Sequence, residues 1–476
     1  MDTNRRSLLN GLGSLTATAL LARPGRAAAS PLFTPEMFGA KGDGVTNDSK
    51  AMKALAAAVN AKGGGVIVFR PRTYLVGEQS PASDPDAFYS FDPVPLLEFK
   101  GCRAPLAIRG NGARLKCADG LRFGVFTRDG QPLKHPMPYV GPGGATPYQR
   151  MVGIENCTGP VEVSDLELDG NVDRLVIGGQ YGDTGWQISA TGLVLRDNRG
   201  DEIVRNVHTH HHALDGLVVN GVNRAPSERP VQRRIIGLRA EHNGRQGCSI
   251  VGGHGYSFER CRFNRTGRAQ VMSNPGAGLD IEAEGEKKNR DLSFADCEFS
   301  DNAGCGMVAD TGDSEGASFV RCTFVGTTNW AAWPCKPRFS FRACTFVGPL
   351  VRAFGDDDPA RAAQFFDCTM TDDPALSPTG QVYGGANPDR PLADLSDARN
   401  MLFRRCAFLA THAAVLPWST GAIYADCRME QSSPKFSFPR GTYLGRTIIN
   451  GNVNLAYSKI VGEVILNGTR LAAGKA

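Results

Sequence analysis

Two things are scarce in this 476-residue sequence: long apolar runs and an excess of one charge sign. No segment beyond the first 29 residues approaches the roughly 20 consecutive apolar residues that a membrane-spanning helix needs, so insertion into a membrane is not expected. Lys and Arg number 53 against 48 Asp and Glu, a formal net charge of +5. That balance gives no general attraction to nucleic acid, and no nucleic-acid partner is expected. Tryptophan is rare, at four residues, whereas glycine is abundant, at 57. With charged residues at 21%, this composition suits a soluble, β-rich chain with many turns and argues against disorder.

Residues 1–29 read as a targeting segment. Asn4-Arg5-Arg6-Ser7-Leu8-Leu9 resembles a twin-arginine export signal, Leu15 to Ala22 is a weak apolar stretch, and Ala27-Ala28-Ala29 offers a small-residue cleavage site. Its removal takes away four Arg and one Asp and lowers the net charge to +2. The expected location is periplasmic or secreted, in a bacterium.

Cysteine is not scarce. Thirteen thiols in an exported protein would ordinarily point to disulfides. Seven of them recur in one frame, however: Phe258-x-x-Cys261-x-Phe263, Phe294-x-x-Cys297-x-Phe299, Phe319-x-x-Cys322-x-Phe324, Phe341-x-x-Cys344-x-Phe346, Phe365-x-x-Cys368-x-Met370, Phe403-x-x-Cys406-x-Phe408 and Tyr424-x-x-Cys427-x-Met429. Their spacings are 36, 25, 22, 24, 38 and 21 residues, a period just over twenty with insertions in two turns. A period of this size marks a solenoid with one coil per repeat, so a single elongated domain is expected despite the length. Cys and the second aromatic share one strand face while the first aromatic breaks parity with them, which places a bend between the first aromatic and the Cys. The thiols are therefore expected to be free and stacked, as small core hydrophobes.

A second frame marks another strand of the coil: Thr191 to Leu195, Asp215 to Asn220, Gln246 to Val251, Ala277 to Glu282 and Cys305 to Asp310. Parity points Leu193, Leu195, Leu217, Val219, Cys248, Ile250, Leu279, Ile281, Met307 and Ala309 inward. Arg196, Val218, Asn220, Ser249, Asp280, Glu282, Val308 and Asp310 then point outward, where a substrate would lie. Loops rich in Gly, Pro and polar residues interrupt the repeat between Arg122 and Arg150, between Asn171 and Ser189, and from Asp372 to Asn400.

Ahead of the repeats, Asn47 or Asp48 can cap a helix over Ser49 to Lys62 that a glycine triplet stops. A lone helix before a long series of strands suggests a lid on the open end of a sheet structure. Phe38-Gly39-Ala40, Gly42-Asp43-Gly44, Asn47-Asp48-Ser49, Ala51, Gly63-Gly64-Gly65 and Pro71 with Thr73-Tyr74 resemble the N-terminal signature of the pectate-lyase-like superfamily, which includes polygalacturonases, rhamnogalacturonases and polysaccharide epimerases. Arg72 departs from it, standing where a glycine is usual. The resemblance implies an all-β fold, a right-handed parallel β-helix with an N-terminal capping helix. In it, residues 30–80 form the cap and first strands, 81–430 the coils with loop insertions, and 431–476 the C-terminal strands.

Among residues that could carry chemistry, Asp280 and Glu282 project from one face of a strand and Asp310 belongs to the next coil. Crowded carboxylates separate in pKa and supply an acid and a base. His212, His242 and Arg245 lie in matching loops of adjacent coils, and a His base with an Arg on a uronate carboxylate is what β-elimination needs. Arg196, Asp215 and Asn220 are candidate substrate contacts, and Trp186, Trp330 and Trp333 are candidate platforms for a sugar ring. Glu284 and Glu286 could add oxygen ligands for Ca²⁺, although no cofactor is required. Asp215-Gly216 and Gly253-His254-Gly255 are similar to fragments of the polygalacturonase signature, but Gln246-Gly247-Cys248 stands where that family has an adjacent Asp pair. The expectation is an exported enzyme that cleaves an acidic polysaccharide by hydrolysis or β-elimination. The alternatives are an epimerase and a glycan-binding surface protein without catalysis.

Overall fold

The structure, a computed structural model, describes residues 30–84, 89–133, 144–179, 188–225, 227–395 and 398–475. The twin-arginine segment and Trp186 lie outside the described residues.

The chain winds as a parallel β-helix with three strand faces per coil. Face 1 stacks Arg150–Glu155, Thr191–Arg196, Asp215–Asn220, Gln246–His254, Ala277–Ile281, Met307–Ala309 and Ala332–Pro334. Face 2 includes Glu202–Arg205, Arg233–Ile236 and Ser257–Glu259; face 3 includes His208–His210, Arg239–Glu241 and Arg262–Asn264. Each strand pairs in parallel with its counterpart one coil on, so like positions stack: Leu217 on Cys248, Cys248 on Leu279, Leu279 on Met307.

The bend expected before each repeated Cys is a single residue in the left-handed region. Arg260, Asp296, Arg321, Ala343, Asp367, Arg405 and Asp426, with φ between 52° and 57°, immediately precede the seven cysteines and turn face 2 into face 3. Asp tolerates this conformation better than most residues. Arg321 pairs back to Asp296, and Arg405 to Asp367, through two hydrogen bonds each along that exposed ridge. Inside the ridge, all seven thiols are free and buried. Several donate to a carbonyl of the preceding coil, as Cys344 Sγ does to Phe319 O at 3.4 Å. The first aromatics form a column in which Phe258, Phe294, Phe319, Phe341, Phe365 and Phe403 stack at centroid spacings of 4.6–4.9 Å. This is the coil spacing itself.

Helix α1 (Ser49–Lys62) closes one end. It buries Met52, Leu55, Ala56 and Val59, and Gly63 ends it in the left-handed region at φ 70°. The Asp48 carboxylate accepts from the Lys41 and Gly42 amides instead of from the helix, so Asn47 Oδ1 takes the Ser49 amide. On the side toward the coils, Asn60 bonds the Glu98 carbonyl and the Lys100 amide of the edge strand Leu97–Lys100. That strand would otherwise end the sheet with unpaired groups. At the other end the antiparallel pairing of Glu463–Leu466 with Thr469–Leu471 departs from the parallel stack.

The stretches expected as loops are partly structured. Val176–Gly178, Arg122–Val125, Gly144–Ala145, Tyr89–Pro93 and Gln79–Pro81 form a separate five-stranded sheet against the upstream coils. Turn-rich composition hid these short strands, which are held by pairing with each other and not by the coil repeat.

Candidate functional site

Face 1 carries the site because its outward side chains stand in columns along the helix axis. One column runs Val194, Val218, Ser249, Asp280, Val308, Trp333. The inward partners are fully buried, as the alternation requires: Leu217, Cys248, Leu279 and Met307 have no exposed surface. Outward is not the same as exposed, however. Asp280 is only 5% exposed, beside Gln246 and the small cluster of Ala277, Cys305 and Val308 over which Trp330 and Trp333 pack.

A cavity of about 240 Å³ opens on this face upstream of Asp280. Arg150, Thr191, Arg196, Asp215, Asn220, Arg245, Ser249 and Glu284 supply its polar lining, and Val194, Val218 and Val251 its apolar floor. Four of the expected site residues therefore meet in one place: Arg196, Asp215, Asn220 and Arg245. Arg150 was not foreseen. It opens the strand one coil before Thr191, paired with it in register, so extending the second sequence frame by one coil reaches it.

Asp215 is the buried acid of the cavity, 2% exposed. Its Oδ2 accepts from Ser249 Oγ at 3.0 Å and lies 3.6 Å from Arg245, while Oδ1 has no partner. Burial raises its pKa above the ordinary range against the opposing pull of Arg245, and the charge of Glu284 across the cavity adds to the rise. The exposed Glu284 is thus a second carboxylate within electrostatic reach of the first. Arg196 reaches Glu155 at 3.3 Å through one guanidinium nitrogen and leaves Nε unpartnered. Arg150 is held between Glu155 and Glu98, and burial lowers its pKa. Asn220 Oδ1, Gln246 Oε1 and Asp280 Oδ1 are also buried and unpartnered. With Arg196 Nε and Asp215 Oδ1, five buried polar atoms on neighbouring coils of this one face have no hydrogen-bond partner within the described residues.

The carboxylate trio lies beside this cavity and does not line it. Asp280 Oδ2 accepts from Gln246 Nε2 at 2.6 Å, and burial, then Glu282 and Asp310, hold its carboxyl well above the usual range. Glu282 is half-buried and takes a hydrogen bond from Thr311; Asp310 is exposed. Glu284 lines the cavity, whereas Glu286 is exposed outside it. Neither converges with two further His, Cys or carboxylate ligands among the described residues.

The two histidines expected at the site are elsewhere, for a backbone reason. His211 and His242 occupy the corner between faces 3 and 1 in the left-handed region, both at φ 55°, and their rings stack at 4.8 Å. That corner turns the next side chain inward, so His212 is buried completely, bonded to Tyr148 Oη at 2.7 Å and Leu168 O at 3.1 Å. Asn243 takes the same buried place one coil later. Arg245, three residues past His242, emerges on face 1, so His242 and Arg245 stand on opposite sides of the corner. Trp330 and Trp333 meet edge-to-face at 5.1 Å, with Arg352 over Trp333 at 5.2 Å. They cover the outward side of later coils and do not line the cavity.

A family model described as a right-handed β-helix region matches residues 152–335. A 70-residue stretch is 44% identical to Depolymerase 1, capsule KN3-specific, of Klebsiella phage KN3-1, and it spans 14% of this chain and only 9% of that relative's length. Among solved structures, the N-terminal fragment of bacteriophage phi29 gene product 12 matches at 13% identity, with a TM-score of 0.50 over 93% of this chain and 73% of that one. The A-module of an Azotobacter vinelandii mannuronan C-5 epimerase matches at 15% identity and a TM-score of 0.44, over 92% and 98% of the two chains. Coil geometry and family match together identify the chain as a right-handed parallel β-helix.

Proposed function

We propose that this chain is an exported enzyme that cleaves an anionic polysaccharide laid along face 1, with Asp215 as the general acid and Glu284 as the base. The observation that carries this reading is the cavity in which a buried, raised-pKa carboxyl and a second, exposed carboxylate stand among Arg150, Arg196 and Arg245. A carboxylic acid kept protonated by burial can donate to a glycosidic oxygen, while an ionised carboxylate activates water. Ser249 holds Asp215 Oδ2, which leaves the unpartnered Oδ1 to carry the proton. Arg196 and Arg245 suit a substrate carboxylate, since guanidinium pairs with it in a planar, two-point geometry. A relative named a capsule depolymerase supports the substrate class.

Hydrolysis is preferred to β-elimination because two carboxyl groups, one of them with its pKa raised by burial, line the cavity together, the pairing that acid–base cleavage of a glycosidic bond uses. Export through the twin-arginine route would place the enzyme in the periplasm or outside the cell. The test is incubation of purified protein with a panel of acidic and neutral glycans, following reducing ends and unsaturated-uronate absorbance together. New reducing ends without absorbance, lost in Asp215→Asn and Glu284→Gln by at least about a hundredfold, are expected. Absorbance at an equal rate would establish elimination instead. Binding without either signal would identify a glycan-binding protein, and a changed uronate configuration without cleavage an epimerase.

A further inference from the structure

On face 3, across the corner from the cavity, a second cluster of chemistry-bearing side chains has no part in the proposed reaction. Glu167 lies at the end of strand Val161–Asp169 and pairs in register with His208 one coil later; Asp169 pairs likewise with His210. His208 and His210 alternate along one strand and so share its outward side, their rings 4.2 Å apart. One ligand atom from each of Glu167, His208 and His210 lies within 4.8 Å of the other two. We propose that these three residues form a binding site for a divalent transition metal, Zn²⁺ being the best match.

Two imidazoles with one carboxylate is a zinc donor set that leaves a fourth position for water. Ligand atoms around tetrahedral Zn²⁺ stand about 3.4 Å apart, so small side-chain rotations close the present spacing. The backbone is already in place, because the three residues project from adjacent hydrogen-bonded strands of a rigid sheet. His208 Nε2 is buried and has the Glu241 carboxylate 3.2 Å away as its nearest acidic neighbour. The local charge favours a cation: among the described residues, Glu167 and Asp169 pair with the one guanidinium of Arg114, and Glu241 with that of Arg239. Glu167 Oε1 and His210 Nε2 already stand 3.1 Å apart, and Asp169, 3.7 Å from His210 Nδ1, lies on the ring's other nitrogen, where a second layer of carboxylates orients an imidazole. A bound ion would join two successive coils, so it would stabilise the fold by an amount that grows with the logarithm of its concentration over Kd.

The test uses untagged protein freed of metal with a chelator and titrated with Zn²⁺ by calorimetry, with melting followed in parallel. One equivalent should bind and raise the melting temperature. Glu167→Gln and His208→Ala, both at partly exposed positions, should each weaken binding by at least about tenfold, whereas Cys335→Ser, at the one incompletely buried thiol, should not. Absence of saturable binding in the wild type overturns the proposal. Binding left unchanged in both face-3 variants overturns it equally, because the ion then sits elsewhere.

Discussion

Asp280→Asn should stabilise this protein at neutral pH, an unusual outcome for a substitution at a residue only 5% exposed. The side chain makes one hydrogen bond, from Gln246, leaves Oδ1 without a partner, and faces the negative charges of Glu282, Asp310 and Asp215 with only Arg245 in opposition. Burial, the largest cause, lifts the folded-state pKa well above 3.8. An unfolded chain releases this proton above pH about 4 while the folded chain retains it, so stability falls as pH rises from there toward the folded-state titration. Each pH unit between the two titrations corresponds to about 1.4 kcal/mol. An asparagine keeps the acceptor for Gln246 and never ionises. It forgoes at most about 1 kcal/mol of hydrogen-bond strength and removes a folded-state titration that burial has pushed well above the unfolded one, so the variant is expected to be the more stable protein at pH 7. Thermal melts of both proteins from pH 4 to pH 8, at fixed ionic strength, should converge near pH 4 and separate as pH rises, the variant melting higher. A variant that melts lower at pH 7, or a difference that does not change with pH, would refute the argument.

Leu279→Asp places a carboxylate at a fully buried inward position and should cost several kcal/mol, read as a large drop in melting temperature beside the gain at Asp280. Glu202→Leu leaves Arg233, whose side chain is fully buried, with the Asn198 and His254 carbonyls but no counter-ion; denaturation should show a loss of about 3–5 kcal/mol, largely recovered by adding Arg233→Met. A thiol reagent should titrate all 13 cysteines only after unfolding, with no more than Cys335 reacting quickly in the native protein. Activity, if Asp215 is the acid, should fall as pH rises through its raised pKa, and Arg196→Ala should raise KM for an anionic glycan more than it lowers kcat.

The coil was legible in the sequence because its determinants are local. Phe, Cys and Phe at fixed offsets report a strand, a left-handed corner and a second strand, and the corner residue itself is visible one place before each Cys. The inward and outward alternation of face 1 was equally readable, since parity has only two outcomes. Exposure was not. Asp280 has the parity of a surface residue, and only the packing of Gln246, Cys305 and Val308 from neighbouring coils reveals that it is buried. The histidines misled for a related reason. Matching loops of adjacent coils suggest that His212, His242 and Arg245 converge, whereas one left-handed residue at the corner sends consecutive side chains to a different face or into the core. Arg150 went unnoticed because its coil lies beyond the glycine-marked frame, and the five-stranded sheet because its strands follow no period.

The stacked phenylalanines have a consequence for how the chain reaches this arrangement. Phe294, Phe319, Phe341 and Phe365 present nearly the same contact to whatever lies above and below, so a nascent coil that skips a neighbour still finds ring upon ring at the right spacing. The column therefore rewards stacking without specifying order, the property that opens repeat folds to misthreading. Order has to come from features that occur once: the buried Glu202, Arg233 and Tyr256 knot, the Gln246 bond to Asp280, and the Asn264 bond to Glu298. These unrepeated polar contacts act as serial numbers on otherwise interchangeable coils, and they crowd into the coils on either side of the cavity.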